Sequence, residues 1–274
     1  MNKESIWSGL QRVGTGQLKA PLDLQKEDIH YYEITDSTNT RAWETWGQST
    51  GNGALFVADD QSHGKGRRGR NWVNSPGCNL CFSLALPPVA TVEAVSMVTL
   101  VMALSVAKAV EAMTGMACGI KWPNDILIQG RKVCGILTEL KMTGSHMECL
   151  IIGVGINVKS QPLPEELRQK AGALETLGGK EVSREALLAE ILATFQEDYR
   201  CFLDKSDLSD LQQEYQNRLL NQDKPVRVLE PAGAYEGIAR GITSRGELLV
   251  ERDDGSMEQV YAGEVSVRGP EGYI

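Results

Sequence analysis

Hydrophobic positions divide the chain into two parts with different textures. Up to about residue 222, apolar runs of strand length alternate with longer helical segments. Beyond that point the chain consists of short strand-like runs, such as PVRVL and ELLVER, that are punctuated by glycine. The pattern predicts an N-terminal extension at 1–29, an α/β domain at 30–222, and a small all-β barrel at 223–274.

Individual elements follow from periodicity and from capping and turn residues. Helices are predicted after the capping residues Asp36, Ser37 and Thr38, and at 92–114, 183–203 and 207–220. Strands are predicted at 54–59, at 80–86, in GIKWPND (119–125) before a turn, and at 148–158. Two more strands fill 126–140 around a tight turn at Gln129 and Gly130, and a hairpin turn is predicted at Asp254 and Gly255.

The longest uncharged apolar segment is AVSMVTLVMALSVA, at 94–107. Its 14 residues are too few to cross a bilayer, which takes about 20. We therefore expect a central helix that is buried nearly all round, and no membrane association.

Six cysteines include the pair Cys78 and Cys81, a CxxC spacing that invites a zinc or redox interpretation. No second CxxC and no histidine pair accompany it, and Cys81 lies within the apolar run CNLCFSLAL. Small buried hydrophobes are therefore the favoured interpretation. An acidic chain with no signal peptide and no paired cysteine framework is expected in the cytoplasm.

The charge distribution points to a small anion. The formal net charge is -8, yet residues 64–70 read GKGRRGR. Proteins that bind duplex DNA usually present a broad basic face, whereas here the positive charge is concentrated in one long loop. Glycine lets backbone N–H groups turn toward an anion, and arginine supplies charge. The run has neither Walker spacing nor a following helix, so taken alone it is better explained as a solvated flexible loop.

Three further segments carry polar groups where a ligand could bind. KWPND (121–125) ends a strand with a lysine and an Asn-Asp pair, although an Asx-turn also explains the last two residues. Lys132 directly precedes the apolar run VCGIL, so its charge must face water or a partner. Alternatively, it is a lysine on an edge strand that prevents aggregation. GVGIN (153–157) leaves either a narrow slot for a flat ligand or packing room for a helix. No Ser-His-Asp or Cys-His set is present, so we expect a site that positions charged reactants without a protein nucleophile.

Taken in order, these motifs resemble the signature series of the biotin protein ligases. The series is DSTN (36–39), Gln61, GKGRRGR-W (64–72), SPGCNL (75–80), KWPND (121–125), GRKVCGILTE (130–139) and GVGIN (153–157). The resemblance covers about residues 30–270. It implies an α/β (α+β) catalytic domain with a mixed sheet, related to class II aminoacyl-tRNA synthetases, followed by an SH3-like barrel.

The resemblance also implies the chemistry. Biotin and ATP, with Mg²⁺, would give biotinyl-5′-AMP, and a lysine of a biotin carboxyl carrier domain would then accept the biotinyl group. The carrier would belong to acetyl-CoA carboxylase or a related carboxylase. Some relatives begin with a DNA-binding domain of about sixty residues, but DSTN starts here at residue 36. We therefore expect a form without repressor function or DNA binding, acting as a monomer or homodimer.

Motif positions imply the roles of individual residues. The biotin-binding set is Ser37, Thr38, Asn39, Gln61, Lys65, Gly66, Arg67, Lys132, Gly135 and Gly153. Lys132 and Arg67 are the expected catalytic residues: Lys132 would meet the biotin carboxylate and the α-phosphate, and Arg67 would belong to the loop that closes over biotin and phosphate. Trp72, Asn124 and Asn157 are expected on the adenylate side. Lys65 departs from the family, whose loop often reads GRGRRGR, and lysine lacks the bidentate fork of arginine.

Two alternatives remain. The first is a lipoate or octanoate ligase or transferase of the same superfamily. Such an enzyme would carry a different glycine-rich signature around an Arg-Arg pair, and that signature is absent here. A nucleic-acid-binding module that uses the basic loop would have aromatic residues among its cations, yet only Trp72 is near.

Overall fold

The computed structural model describes residues 1–12, 22, 24–46, 53–89, 91–230, 233–262 and 266–269. Within these ranges the strands form two sheets. The larger sheet contains β1 (Ile29–Thr35), β2 (Ala54–Gln61), β3 (Asn79–Leu86), β4 (Gly119–Lys121), β5 (Asp125–Ile128), β6 (Arg131–Thr143) and β7 (His146–Asn157). Its order is β1-β2-β3-β7-β6-β5-β4. The β1–β2 pair is parallel and the other pairs are antiparallel, so the sheet is mixed.

The smaller sheet lies at the C-terminal end of the chain. Its strands are β8 (Pro225–Glu230), β9 (Gly233–Ile242), β10 (Leu248–Glu251), β11 (Met257–Val260) and β12 (Ser266–Arg268), in the order β11-β10-β9-β8-β12. All of its pairs are antiparallel. As expected, the chain changes from mixed helices and strands to strands alone at its C-terminal end. Gly255, with φ 82°, makes the predicted turn between β10 and β11.

The helices are α1 (Lys3–Arg12), α2 (Thr38–Thr45), α3 (Val92–Thr114), α4 (Leu174–Gly178), α5 (Arg184–Lys205) and α6 (Gln212–Gln216). α3 begins at Thr91, whose side chain accepts a hydrogen bond from the backbone N–H of Ala94, and ends at Gly115 with φ 73°. By length and composition α3 could span a membrane, but most of it is buried in this fold. It packs between α5 and β6 and forms the centre of the core, as its sequence predicts.

The predicted helix at 207–220 is wrong in extent, because only α6 is helical there. Ser206 ends α5 in the left-handed conformation, with φ 57°. Further on, the backbone N–H of Leu220 donates to the carbonyl of Ile120 at 2.9 Å, and that of Ile120 donates to Arg218 at 2.7 Å. Pairing with β4 therefore replaces helical hydrogen bonds after α6, which local periodicity does not reveal.

The smaller sheet is attached to the larger one directly behind the KWPND segment. Trp122 is almost fully buried, and its indole N–H donates to the carbonyl of Gly246 at 3.0 Å. Its backbone N–H donates to the side chain of Asn221 at 2.9 Å. The turn that carries Asn124 and Asp125 is thus held from behind by both parts of the chain.

Candidate active site

Three glycines on neighbouring strands open a groove across one face of the larger sheet. Gly135 on β6 lies opposite Gly155 on β7, and Gly153 lies two residues before Gly155 on the same face. A Cβ added to Gly153 would lie 2.1 Å from Oδ1 of Asn39, and one added to Gly155 would lie 2.5 Å from Cε2 of Trp72. Glycine is therefore required here by close approach of other side chains. We call this groove the slot; its volume is about 50 Å³.

Thr38, Asn39 and Gln61 line one end of the slot, and hydrogen bonds connect them to one another or to Ser83 and Glu139, which are not lining residues. Oε1 of Gln61 accepts hydrogen bonds from the backbone N–H and the hydroxyl of Thr38, at 2.8 and 3.2 Å. The hydroxyl oxygen of Ser83 lies 2.7 Å from Oγ1 of Thr38 and 2.5 Å from Oδ1 of Asn39. Nδ2 of Asn39 donates to Glu139 at 2.6 Å. Mutual bonding fixes the orientation of these groups before any ligand arrives.

The basic loop, residues 64–72, covers the slot as a short hairpin. The backbone N–H of Trp72 donates to the carbonyl of Gly64 at 2.8 Å, and that of Gly66 donates to Arg70 at 2.7 Å. A Cβ on Gly64 would lie 2.7 Å from the carbonyl oxygen of Trp72, so the hairpin closes only with glycine there. Arg68 turns the chain with φ 57°. The loop is therefore bonded internally in this conformation.

Arg67 joins the basic loop to both sheets. Its guanidinium donates to Oδ1 of Asn124 at 3.0 Å and to the carbonyl of Ala262 at 2.6 Å. Nδ2 of Asn124 in turn donates to the carbonyl of Ile136 on β6, at 2.9 Å. Burial lowers the pKa of Arg67, and the nearby Asp125 opposes that effect. Arginine remains a cation under these conditions, so the loop brings a partly buried positive charge over the slot.

Lys132 carries a second charge at the same place. Its Nζ lies 2.6 Å from Oδ1 of Asp125 and 5.7 Å from the centre of the Trp72 ring. The indole lies over Gly155 and also approaches the Cβ position of Gly135, which explains the small volume of the slot. The ammonium and the indole therefore meet at the mouth of the slot.

A second cavity of about 400 Å³ begins where the slot ends, and we call it the cationic cavity. Among the described residues its lining contains one carboxylate, Asp125, and many cations. The cations are Arg67, Arg68, Arg70, Lys121, Lys132, Lys170 and Arg268. Since Asp125 already pairs with Lys132, the cavity holds a large excess of positive charge, which suits a polyanion.

The structure brings the predicted site residues together. All of them line the slot except Asn157, which lines the cationic cavity. Oδ1 of Asn157 accepts from Asn79 at 2.9 Å and from Gln161 at 3.3 Å, which ties β7 to β3 and to the following loop. Trp72, Asn124 and Lys132 line both cavities.

Sequence reasoning missed several residues of this site. Ser83 could have been predicted, because it is a single polar residue within the apolar run of β3. Glu139 holds Asn39 from 100 residues away, so no local pattern could have revealed it. Asp125 and Lys121 lie within KWPND but were given no role, and Arg268 reaches the cationic cavity from β12.

No cysteine is among the described residues that line the slot or the cationic cavity. Cys81 is buried, and burial raises its pKa to about 12, so it stays a thiol at neutral pH. All six cysteines are free. Within the described ranges no group of three acidic, histidine or cysteine side chains could hold a metal ion.

Comparison with known proteins defines the class. A family model described as the Biotin/lipoate A/B protein ligase family matches residues 31–157, and one described as the Biotin protein ligase C terminal domain matches residues 223–268. The bifunctional ligase/repressor BirA of Bacillus subtilis (strain 168) is 31% identical, over 94% of this chain and 83% of the relative. The biotin--[acetyl-CoA-carboxylase] ligase of Paracoccus denitrificans is 30% identical, over 86% of this chain and 98% of the relative.

A solved structure agrees with these relatives. The biotin protein ligase from Aquifex aeolicus in complex with biotin and ATP is 32% identical, with a TM-score of 0.78. The match covers 88% of this chain and 98% of that chain. The chain belongs to the biotin protein ligase family, which confirms the resemblance read from its motifs.

Proposed function

We propose that this protein activates biotin with ATP to biotinyl-5′-AMP and then transfers the biotinyl group to a lysine of a biotin carboxyl carrier domain. One observation carries the proposal: a narrow slot with neutral polar groups at one end meets a strongly cationic cavity at Lys132 and Arg67. Biotin has a neutral ureido ring at one end and a carboxylate at the other. ATP is a polyanion, and the junction is where the two substrates would react.

Biotin occupies the slot with its ureido ring toward Thr38, Asn39 and Gln61. These groups offer both donors and acceptors, which a ureido ring needs in order to leave water without loss of hydrogen bonds. The side chain of biotin then runs over Gly153 and Gly135 and carries its carboxylate to Lys132. Because the Trp72 indole lies across this path, it turns toward the cationic cavity, which it also lines, when biotin enters.

Activation joins the biotin carboxylate to the α-phosphorus of ATP and releases pyrophosphate. Negative charge grows on the phosphoryl oxygens during this step, and the prepositioned charges of Lys132 and Arg67 stabilise it. Mg²⁺, as part of the nucleotide substrate, would help to neutralise the phosphate charge; among the described residues the lining of the cavity has one carboxylate, Asp125, which pairs with Lys132. Asn124 and Asn157 lie beside the nucleotide.

The basic loop then keeps the mixed anhydride away from water. Its hairpin lies over the slot, with Lys65 and Gly66 lining the same space and Arg67 fastened to Asn124 and Ala262. A carrier lysine, as the neutral amine, attacks the acyl carbon and releases AMP.

The larger sheet with its ligand face corresponds to the class II aminoacyl-tRNA-synthetase type, and the smaller sheet to an SH3-like barrel.

The direct test mixes the protein with biotin, ATP, Mg²⁺ and a carrier domain, and follows the carrier by mass spectrometry. We expect the mass of one biotinyl group on one lysine, and no change when ATP is left out. A parallel reaction with lipoate addresses the other activity of the superfamily. Transfer of lipoate in place of biotin would overturn the proposal.

A further inference from the structure

The amide of Asn39 is oriented by a carboxylate that does not itself line the slot. Nδ2 of Asn39 donates to Oε2 of Glu139 at 2.6 Å and to the carbonyl of Leu137 at 3.4 Å. Its Oδ1 accepts from the hydroxyl of Ser83 at 2.5 Å. If the amide were turned over, its oxygen would face a carboxylate oxygen, and neither atom could donate a hydrogen bond. Glu139 therefore decides which end of the amide faces Gly153 and the slot.

The larger sheet brings Glu139 to this amide from β6. Gly135, Leu137 and Glu139 lie on one face of that strand by alternation, and the first two line the slot. Glu139 is the next residue on this face, and it is half-buried against Asn39 of α2. Asn39 is itself buried, with 4% exposed. Turning a buried amide would leave polar groups unpaired, which costs more than a hydrogen bond normally contributes.

The hydrogen-bonding capacity that Asn39 has left for a ligand is that of an acceptor. Its Nδ2 is directed at β6, and Ser83 uses one of the two lone pairs of Oδ1. Oδ1 lies over Gly153, on the floor of the slot. Gln61 has the opposite polarity, because its Oε1 accepts twice from Thr38 and its Nε2 is then the group that can donate to a ligand. The polar end of the slot therefore offers an acceptor and a donor in fixed positions.

We propose that Glu139 is a positioning residue for biotin specificity: by holding Asn39 as an acceptor, it makes the slot select ligands that donate an N–H at that point. The ureido ring has an N–H on each side of its carbonyl, so it matches an acceptor beside the donor of Gln61. A ligand with an oxygen atom in place of that N–H would bring two acceptors together and leave Oδ1 without a donor. This inference rests on the proposed function, because it takes biotin as the ligand of the slot.

The test compares biotin with two analogues, in each of which an oxygen atom replaces one ring N–H. Calorimetric titration of the full chain gives the ratio of the biotin affinity to the affinity of each analogue. The wild type should bind at least one analogue roughly tenfold or more weakly than biotin, because the ring oxygen of that analogue faces Oδ1 of Asn39.

Glu139→Leu removes the carboxylate and leaves the Asn39 amide free to turn and donate to the ring oxygen. Biotin should bind this variant roughly tenfold more weakly, and its affinity ratio to the same analogue should fall below about threefold. Glu139→Gln keeps an acceptor beside Nδ2 of Asn39, so it should restore the wild-type ratio to within about twofold. Circular dichroism of each variant checks the fold.

Glu148→Leu is the matched control, because it removes a carboxylate from β7 that pairs with Lys141 and does not line the slot. Its biotin affinity and both ratios should equal those of the wild type. A purely structural role of Glu139 would weaken all three ligands alike, so an unchanged ratio in folded Glu139→Leu would overturn the inference. Equal affinity of the wild type for biotin and both analogues would overturn it without any variant.

Failure of this inference differs from failure of the proposed function. Absence of biotin binding, or of ATP-dependent transfer to the carrier domain, in the wild type would refute the proposed function. A protein that transfers biotin, but whose affinity ratios do not depend on Glu139, would refute only the role of Glu139.

Discussion

The slot and the cationic cavity are adjacent, yet they are built by opposite means. In the slot, the neutral side chains of Thr38 and Gln61 bond to each other, and Thr38 also bonds to the buried Ser83, so their positions are fixed before binding. In the cavity, cations outnumber carboxylates and repel one another until an anion enters. The proposed function therefore assigns selectivity for the organic substrate to the slot, and the electrostatic driving force for the phosphate chemistry to the cavity.

The two regions also respond differently to solution conditions. Hydrogen bonds between buried neutral groups are little affected by salt, whereas attraction between a cation cluster and a polyanion is screened by it. Residues that line only the slot should thus govern biotin affinity. Those that line both spaces, Lys132 and Arg67 among them, should govern the reaction itself.

Removing the charge at the junction should have the largest effect. Lys132→Ala takes away the ammonium that would meet both the carboxylate and the α-phosphate, so ATP–pyrophosphate exchange should fall about 10³-fold or more. Lys141→Ala, on the same strand but outside both cavities, should keep its exchange rate. Circular dichroism of both variants checks the fold. If Lys132→Ala exchanged ATP and pyrophosphate near the wild-type rate, Lys132 would have no role in the activation step.

Filling the floor of the slot should act on biotin alone. In Gly153→Ala the new methyl group would lie 2.1 Å from Oδ1 of Asn39, so the Asn39 amide must move away from Ser83 and Glu139. Overpacking of this kind costs about 1–3 kcal/mol, so biotin affinity measured by calorimetry should fall roughly 10- to 100-fold. Gly9→Ala on α1, where the added Cβ would meet only ordinary contacts, serves as the control. An equal loss of nucleotide affinity would show that the two regions are not separable.

Releasing the loop should shorten the life of the intermediate. Arg67→Ala deletes the hydrogen bonds to Asn124 and to the carbonyl of Ala262. Charge-assisted hydrogen bonds contribute about 1.5–3 kcal/mol each, so labelled biotinyl-5′-AMP should leave the protein at least about tenfold faster. Arg200→Ala on the exposed side of α5 should release it at the wild-type rate. Identical release rates in both variants would contradict the role of the loop as a cover.

Local chemistry made much of this fold predictable. The turn at Gln129 and Gly130 has φ of 51° and 75°, as the sequence between two apolar runs predicts, and α3 has the predicted bounds. Residues 207–220 could not be predicted in the same way, because the pairing of Leu220 with Ile120 joins segments 100 residues apart. Long-range pairing overrides helical periodicity there.

In the site, too, local motifs were predictable and long-range contacts were not. Motif order and the resemblance together located nearly every slot residue, because the family signature follows the chain. The bonds among those residues were not predictable, since Ser83 meets Asn39 across 44 positions and Glu139 meets it across 100. Lys121 was overlooked because the last lysine of a strand faces solvent as readily as a cavity, and only the register decides between them.

The smallest expected effect concerns Lys65, where the family often has arginine. Its side chain is exposed at the rim of the slot, and Lys65 pairs with Asn71 through the backbone hairpin. A bidentate guanidinium adds little at an exposed position, where each hydrogen bond competes with water. Lys65→Arg should therefore change the exchange rate and the release of the intermediate less than about threefold, a difference well under 1 kcal/mol. If Lys65→Arg retained biotinyl-5′-AMP tenfold longer or more, position 65 would belong with the cations that hold phosphate. The basic loop would then contribute residues of both kinds, to the slot and to the cationic cavity.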